Sequence, residues 1–103
     1  MADGGVQMTN YRRGYEIERK VVNMLRKEGS VSVRSAGSHS PWDVMCVDSY
    51  IVRLIQCKRV KKYRQSMFDA DIKELQRLKT PRCCSKELWV WEDGYGWVRT
   101  KVI

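Results

Sequence analysis

Nowhere in the chain do about eighteen apolar residues run together, and the first ten residues lack the charged-then-apolar order of a secretory signal. The pattern excludes a membrane-spanning helix and leads us to expect a soluble, cytoplasmic protein with no membrane partner. A single histidine, His39, stands beside four cysteines that show no Cys-x-x-Cys spacing, which argues against a structural zinc site. Cys83 and Cys84 are sequence neighbours, a spacing unsuited to a strain-free mutual bridge, whereas Cys46 and Cys57 lie in apolar runs where a buried thiol acts as a small hydrophobe. Reduced thiols fit an intracellular setting. Repeats and low-complexity tracts are missing too, and 103 residues leave no room for a second core.

Acidic residues are also in short supply. Twelve Asp and Glu face twenty Lys and Arg, for a formal net charge of +8. Phosphate backbones are the commonest partner for so large an excess on so small a surface, and charge alone does not separate DNA from RNA.

The first ten residues carry no periodic pattern and read as a flexible arm before a single domain over 11–103. From Arg12 to Glu28 the apolar spacing is helical, with Ile17, Val21, Val22, Met24 and Leu25 as the stripe and Gly29 as the stop. On that wheel Glu16 points to the wet face with Lys20 and Lys27, whereas Glu18 falls inside the stripe. A carboxylate among buried positions costs free energy unless something compensates it. Strands follow over Val31–Ser35, Trp42–Val47 and Ile51–Lys58, the last two a hairpin around Asp48-Ser49. A basic loop, a helix over Phe68–Lys79 ending before Pro81, and strands over Glu87–Glu92 and Trp97–Val102 complete the chain. The order α-β-β-β-α-β-β predicts an α/β fold, a mixed central sheet flanked by helices.

Side chains alternate along a strand, so Gln56 and Lys58 project from one side of the third strand. Asp43, on the neighbouring strand, can converge with them, and the helix carrying Glu18 would pack on that face. Hydrolysis of a phosphodiester needs this assortment. Asp43 and the Gln56 carbonyl offer oxygen ligands for Mg²⁺, with Mn²⁺ as substitute, and Glu18 would act directly or through water. Lys58 would orient the attacking water or neutralise charge growing on the phosphate. No small-molecule cofactor is implied.

Asp43 followed by Gln56-Cys57-Lys58 resembles the Asp…(Glu/Gln)-x-Lys core of the PD-(D/E)XK nucleases. Tyr11-Arg12-Arg13-Gly14 through Glu18-Arg19, then Val33-Arg34-Ser35-Ala36-Gly37-Ser38, is similar more specifically to the archaeal-type Holliday junction resolvases. The likeness covers about residues 11–62 well; beyond them only the order of elements and an aromatic-rich final strand pair agree. It implies a restriction-endonuclease-like core and a homodimeric enzyme that makes paired cuts in four-way DNA junctions. Glu18, Asp43 and Lys58 match the catalytic positions, Arg19 and Arg34 the basic residues near the scissile phosphate, and Ser38 a serine loop. In two places the chain departs from the pattern: Gln56 stands where Glu is usual, and Trp42 is inserted into the usual Pro-Asp.

Arg12, Arg13, Lys61, Lys62 and Arg64 would add phosphate contacts, and His39 is expected to be simply solvent-exposed. Leu88-Trp89-Val90-Trp91 is apolar on both faces, which suits a central strand buried on both sides. So short a chain has little with which to cover that aromatic surface, so Trp89 or Trp91 is expected at a dimer interface. Two other readings stay open: a restriction- or repair-like nuclease of ordinary duplex, and a DNA-binding module whose site Gln56 has silenced.

Overall fold

The computed structural model describes residues 10–35 and 40–103. Helix α1 (Asn10–Lys27) is followed by β1 (Val31–Arg34), β2 (Val44–Val47), β3 (Val52–Val60), α2 (Asp69–Arg77), β4 (Cys84–Glu92) and β5 (Gly96–Val102). The five strands lie side by side in chain order, antiparallel except for the parallel pair β3–β4. That pair requires a crossover, and α2 is in it. The fold is therefore the expected α/β arrangement of a mixed sheet and flanking helices.

Helix α1 begins two residues before the expected Arg12 and stops at its glycine. Gly29 adopts φ 93°, and its N–H reaches the Arg26 carbonyl at 3.0 Å while Ser30 N–H reaches that of Leu25 at 3.1 Å. Only glycine enters that region without a Cβ penalty. The stripe Ile17, Val21, Val22 and Leu25 is buried against Val44, Cys46, Ile55, Cys57 and Trp89, with Met24, Trp91 and Trp97 at the margin. Each fully buried aliphatic side chain there contributes roughly 1.5–3 kcal/mol. On the other face Ile72 meets Leu88 and Val90, with Val60, Tyr63, Phe68 and Ile103 around them, and Leu75 is also buried.

Helix α2 starts from Phe68, which is held at φ 70° without a side-chain cap, and carries Asp69 and Asp71 in its first turn, where the helix dipole favours negative charge. It ends at Arg77 rather than Lys79. Leu78 is already extended, and Lys86 Nζ donates to the carbonyls of Gln76 and Leu78, 3.3 and 3.1 Å away.

Of the two tryptophans expected at an interface, Trp89 is buried within the chain and Trp91 is half-buried. Trp89 is only 7% exposed, under α1, and stacks edge-on with Trp97 at 5.4 Å, as Trp91 does at 5.2 Å. Trp89 Nε1 donates to Glu87, which also binds Arg53 through two bonds of 2.7 and 2.9 Å. Strand β4 is buried on both faces because α1 and α2 cover it from opposite sides. Among the described residues, a paired patch of open apolar surface lies on β1 and β2, facing away from α1: Val31 pairs with Val47 and Val33 with Met45, and all but Met45 are exposed.

Candidate active site

Asp43 is the centre of the polar cluster. It sits one residue before β2, yet its backbone stays in the ladder: its N–H reaches the Ile55 carbonyl at 2.8 Å and its carbonyl accepts from Ser35 N–H at 2.9 Å. Its Oδ2 accepts the Cys57 N–H at 2.8 Å. Burial pushes the Asp43 carboxyl above its ordinary range. The Cys57 amide, Lys58 and Arg34 act against burial, and the charge of Asp71 adds to it.

Glu18 reaches this centre from α1. Arg34 Nε donates to its Oε1 at 2.9 Å, and the side chain is 17% exposed. Burial raises the Glu18 carboxyl, the Arg34 bond opposes that, and the charge of Asp43 raises it further. The misplaced glutamate of the helical wheel therefore has a compensating arginine. Cys57 lies between the two acids; burial, then Asp43, then Glu18, drives its thiol well above the usual range, leaving it an inert hydrophobe.

Gln56 and Lys58 do share a side of β3, but it is the side opposite α1, which corrects the expected packing. The apolar stripe of α1 takes the apolar face, Ile55 and Cys57, and leaves the polar face to α2. There Lys58 Nζ lies 3.3 Å from Asp71 Oδ1 and 5.7 Å from the Phe68 ring centroid, and Gln56 Nε2 is 3.5 Å from the same Asp71 oxygen. Gln56 is 8% exposed, and its Oε1 is buried with no hydrogen-bond partner. Glu18 and Lys58 thus approach Asp43 from opposite faces of the sheet. Among the described residues no three His, Cys, Asp or Glu side chains stand close enough together to hold a metal ion.

The basic residues divide into three kinds. Arg34 stacks on Tyr15 at 4.2 Å, and Arg19 lies 5.7 Å from the same ring. A shallow groove runs past them, lined by Tyr15, Arg19, Asn23, Arg26 and Arg34, and a second one beside it takes in Arg12 and Lys20. Lys61, Lys62 and Arg64 are exposed on the loop after β3. Arg13 is already ion-paired at a half-buried site: its Nη2 donates to Asp93 at 2.7 Å, and Arg59 Nε donates to the other oxygen of Asp93 at 2.7 Å. Glu16 keeps to the wet face as expected, its side chain 40% exposed, while approaching Arg59 at 3.4 Å. Ser38 and His39 lie outside the described residues. Tyr15 and Asp71 were missed in the sequence; Tyr15 could have been found one turn before Arg19, but Asp71 carries no local signal.

A profile of the archaeal Holliday junction resolvase (Hjc) family matches residues 9–81. No curated protein matches the chain. Among solved structures, Hjc of Archaeoglobus fulgidus, a Holliday junction resolvase from an archaeal hyperthermophile, is similar in fold, with TM-score 0.67 and 19% identity over 84% of this chain and 73% of that one. With most of its length matched by the family profile, the chain belongs to the archaeal Holliday junction resolvase family, structure-selective nucleases that act on branched DNA.

Proposed function

We propose that this nuclease is a metal-dependent endodeoxyribonuclease of the crossover-junction type, cutting four-way junctions inside the cell from a site centred on Asp43. The observation that carries the metal reading is the Gln56 Oε1, a buried oxygen with no partner one residue along β3 from the amide that Asp43 binds. An unpaired buried acceptor costs about 1–3 kcal/mol, and a cation would satisfy it. Asp43 and Gln56 would hold Mg²⁺, or Mn²⁺ in its place, with Glu18 as a further ligand directly or through water. What the ion would supply there is charge to polarise the scissile phosphate and acidify the attacking water.

The remaining work falls to the chain's own side chains. Lys58, on the polar face of β3, would orient the water or neutralise charge growing on the phosphate. Arg34 and Arg19, braced on Tyr15, bind the phosphates flanking the cut, and the cations along α1 and the loop after β3 hold the arms. Paired cuts need two sites, so the active form is a homodimer, and the uncovered face of β1 and β2 is where a second copy would bury Val31, Val33 and Val47.

A cleavage gel tests the reading, comparing a four-way junction with linear duplexes of the same arms, each with Mg²⁺, with Mn²⁺ and with chelator. Paired cuts in the junction alone, only with metal, are expected. Equal cutting of duplex favours the restriction-like alternative, and no cutting with either metal favours a silent binding module. Sedimentation should give a dimer, and a wild-type monomer that still makes paired cuts refutes that part.

A further inference from the structure

On Gln56's side of the sheet, a divalent cation at Asp43 and Gln56 would have one charged ligand and one neutral one, a weak set for a hard ion without Glu18. Glu18 does not lie on Gln56's side of the sheet, and it is held by Arg34. The carboxylate that does lie there belongs to Asp71. We propose that Asp71, in the first turn of α2, supplies the second carboxylate of the metal site, in place of the charge that Gln56 lacks; this rests on the metal-dependent reading above.

Four observations place it there. Asp71 Oδ1 is 3.5 Å from Gln56 Nε2, so one rotation of that amide would bring the orphaned Oε1 beside the same carboxylate. Asp43 accepts the N–H of Cys57 at 2.8 Å, so the two acids meet β3 at adjacent residues, Gln56 and Cys57. Its side chain is 26% exposed, open enough to admit an ion and its water. The next residue, Ile72, is 7% exposed against Leu88 and Val90, so the turn that presents Asp71 is fixed by the core. Two carboxylates and an amide would then surround the ion, with Lys58 3.3 Å from Asp71 as the cation beside them. The simpler alternative is that Asp71 only neutralises Lys58.

Titration calorimetry of the DNA-free full-length chain with Mn²⁺ separates the two. Asp71→Asn should weaken Mn²⁺ binding about tenfold or more, a usual size for losing a group that supports a metal. Freeing Lys58 would also repel an ion, so the neutral pair Lys58→Met with Asp71→Asn is measured beside it. If Asp71 is a ligand, the loss persists in the pair, and adding Gln56→Glu to Asp71→Asn restores binding. Unchanged affinity in Asp71→Asn, or full recovery in the Lys58→Met pair, overturns the proposal and leaves the metal reading standing. A wild-type chain that binds no Mn²⁺ with or without junction DNA overturns both. Thermal melts of each variant confirm that the fold is intact.

Discussion

Asp43→Asn should abolish cleavage and stabilise the protein. The amide keeps the shape of the carboxylate and an oxygen for the Cys57 N–H, so the only large change is the loss of charge. Burial raises the Asp43 carboxyl, against the Cys57 bond, Lys58 and Arg34, and with the charge of Asp71. A carboxyl raised on folding disfavours the ionised native state. The cost is complete at neutral pH, shrinks as pH falls through the raised value, and is gone near the unfolded value of 3.8. Removing a charge that a site tolerates for function commonly gains about 0.5–2 kcal/mol, and 1 kcal/mol is roughly 4–8 °C in a domain of this size. In chelator at pH 7 the asparagine variant should melt several degrees above wild type, with the gap closing toward pH 4. Junction binding, which the cationic surface is proposed to carry, should stay nearly intact. Scanning calorimetry across that pH range, beside a cleavage gel, gives the answer. An asparagine variant that melts lower at pH 7, or shows a gap independent of pH, refutes the electrostatic argument; full activity refutes the site.

If about six phosphates are contacted, junction affinity should fall about 10³-fold between 50 and 200 mM salt, and a flat response in a filter-binding titration would point away from backbone recognition. Gln56→Glu should lower the Mg²⁺ concentration needed for half-maximal cleavage without improving DNA binding; unchanged metal dependence would show that Gln56 is not a ligand. Glu87→Gln should cost about 1–3 kcal/mol by leaving the partly buried Arg53 without its ion pair, read as a lower urea midpoint. Burial alone would raise the Glu87 carboxyl, but the bonds from Arg53, Trp89 and Ser85 hold it below 4.5, so wild type keeps this stability above that value and loses it only as pH falls through the lowered one.

Helix α1 was legible because its stripe is local: a 3.6-residue period marks Ile17, Val21, Val22 and Leu25 without knowledge of a partner. The same wheel exposed Glu18 as misplaced. The face of β3 that α1 covers was also written in the sequence, since an apolar stripe packs on Ile55 and Cys57 rather than on Gln56 and Lys58, but the convergence of polar groups suggested the other side. Strand β3 runs to Val60, two residues past Lys58, because Arg59 and Val60 pair with Trp91 and Glu92, a parallel register that no local pattern announces. Asp71 was invisible for the same reason: only the crossover brings α2 over Lys58. The tryptophans looked too many for so small a core, yet α1 covers Trp89, and Trp91 and Trp97 half-bury each other in edge-on stacks.

Side chains cannot pass through a sheet, so a site that takes Glu18 from one face and Lys58 from the other can form only where the sheet ends. Asp43 is at that end, fixed by two ladder bonds and the Cys57 amide. The groups that reach toward it each hold an opposite charge: Glu18 holds Arg34 and Asp71 holds Lys58. A phosphate arriving at Arg34 would have to compete with Glu18 for the guanidinium, so in this state Glu18 would restrain the cation proposed to bind DNA. Glu18→Gln removes the competitor and leaves Arg34 on Tyr15. One charge removed near 4 Å is worth about 1 kcal/mol in a solvated setting, so junction binding should tighten by no more than about fivefold while cleavage is lost. Binding titrations in chelator read this directly. Weaker binding by Glu18→Gln would mean that the glutamate positions Arg34 for the phosphate rather than competing with it, and retained cleavage would remove Glu18 from the site.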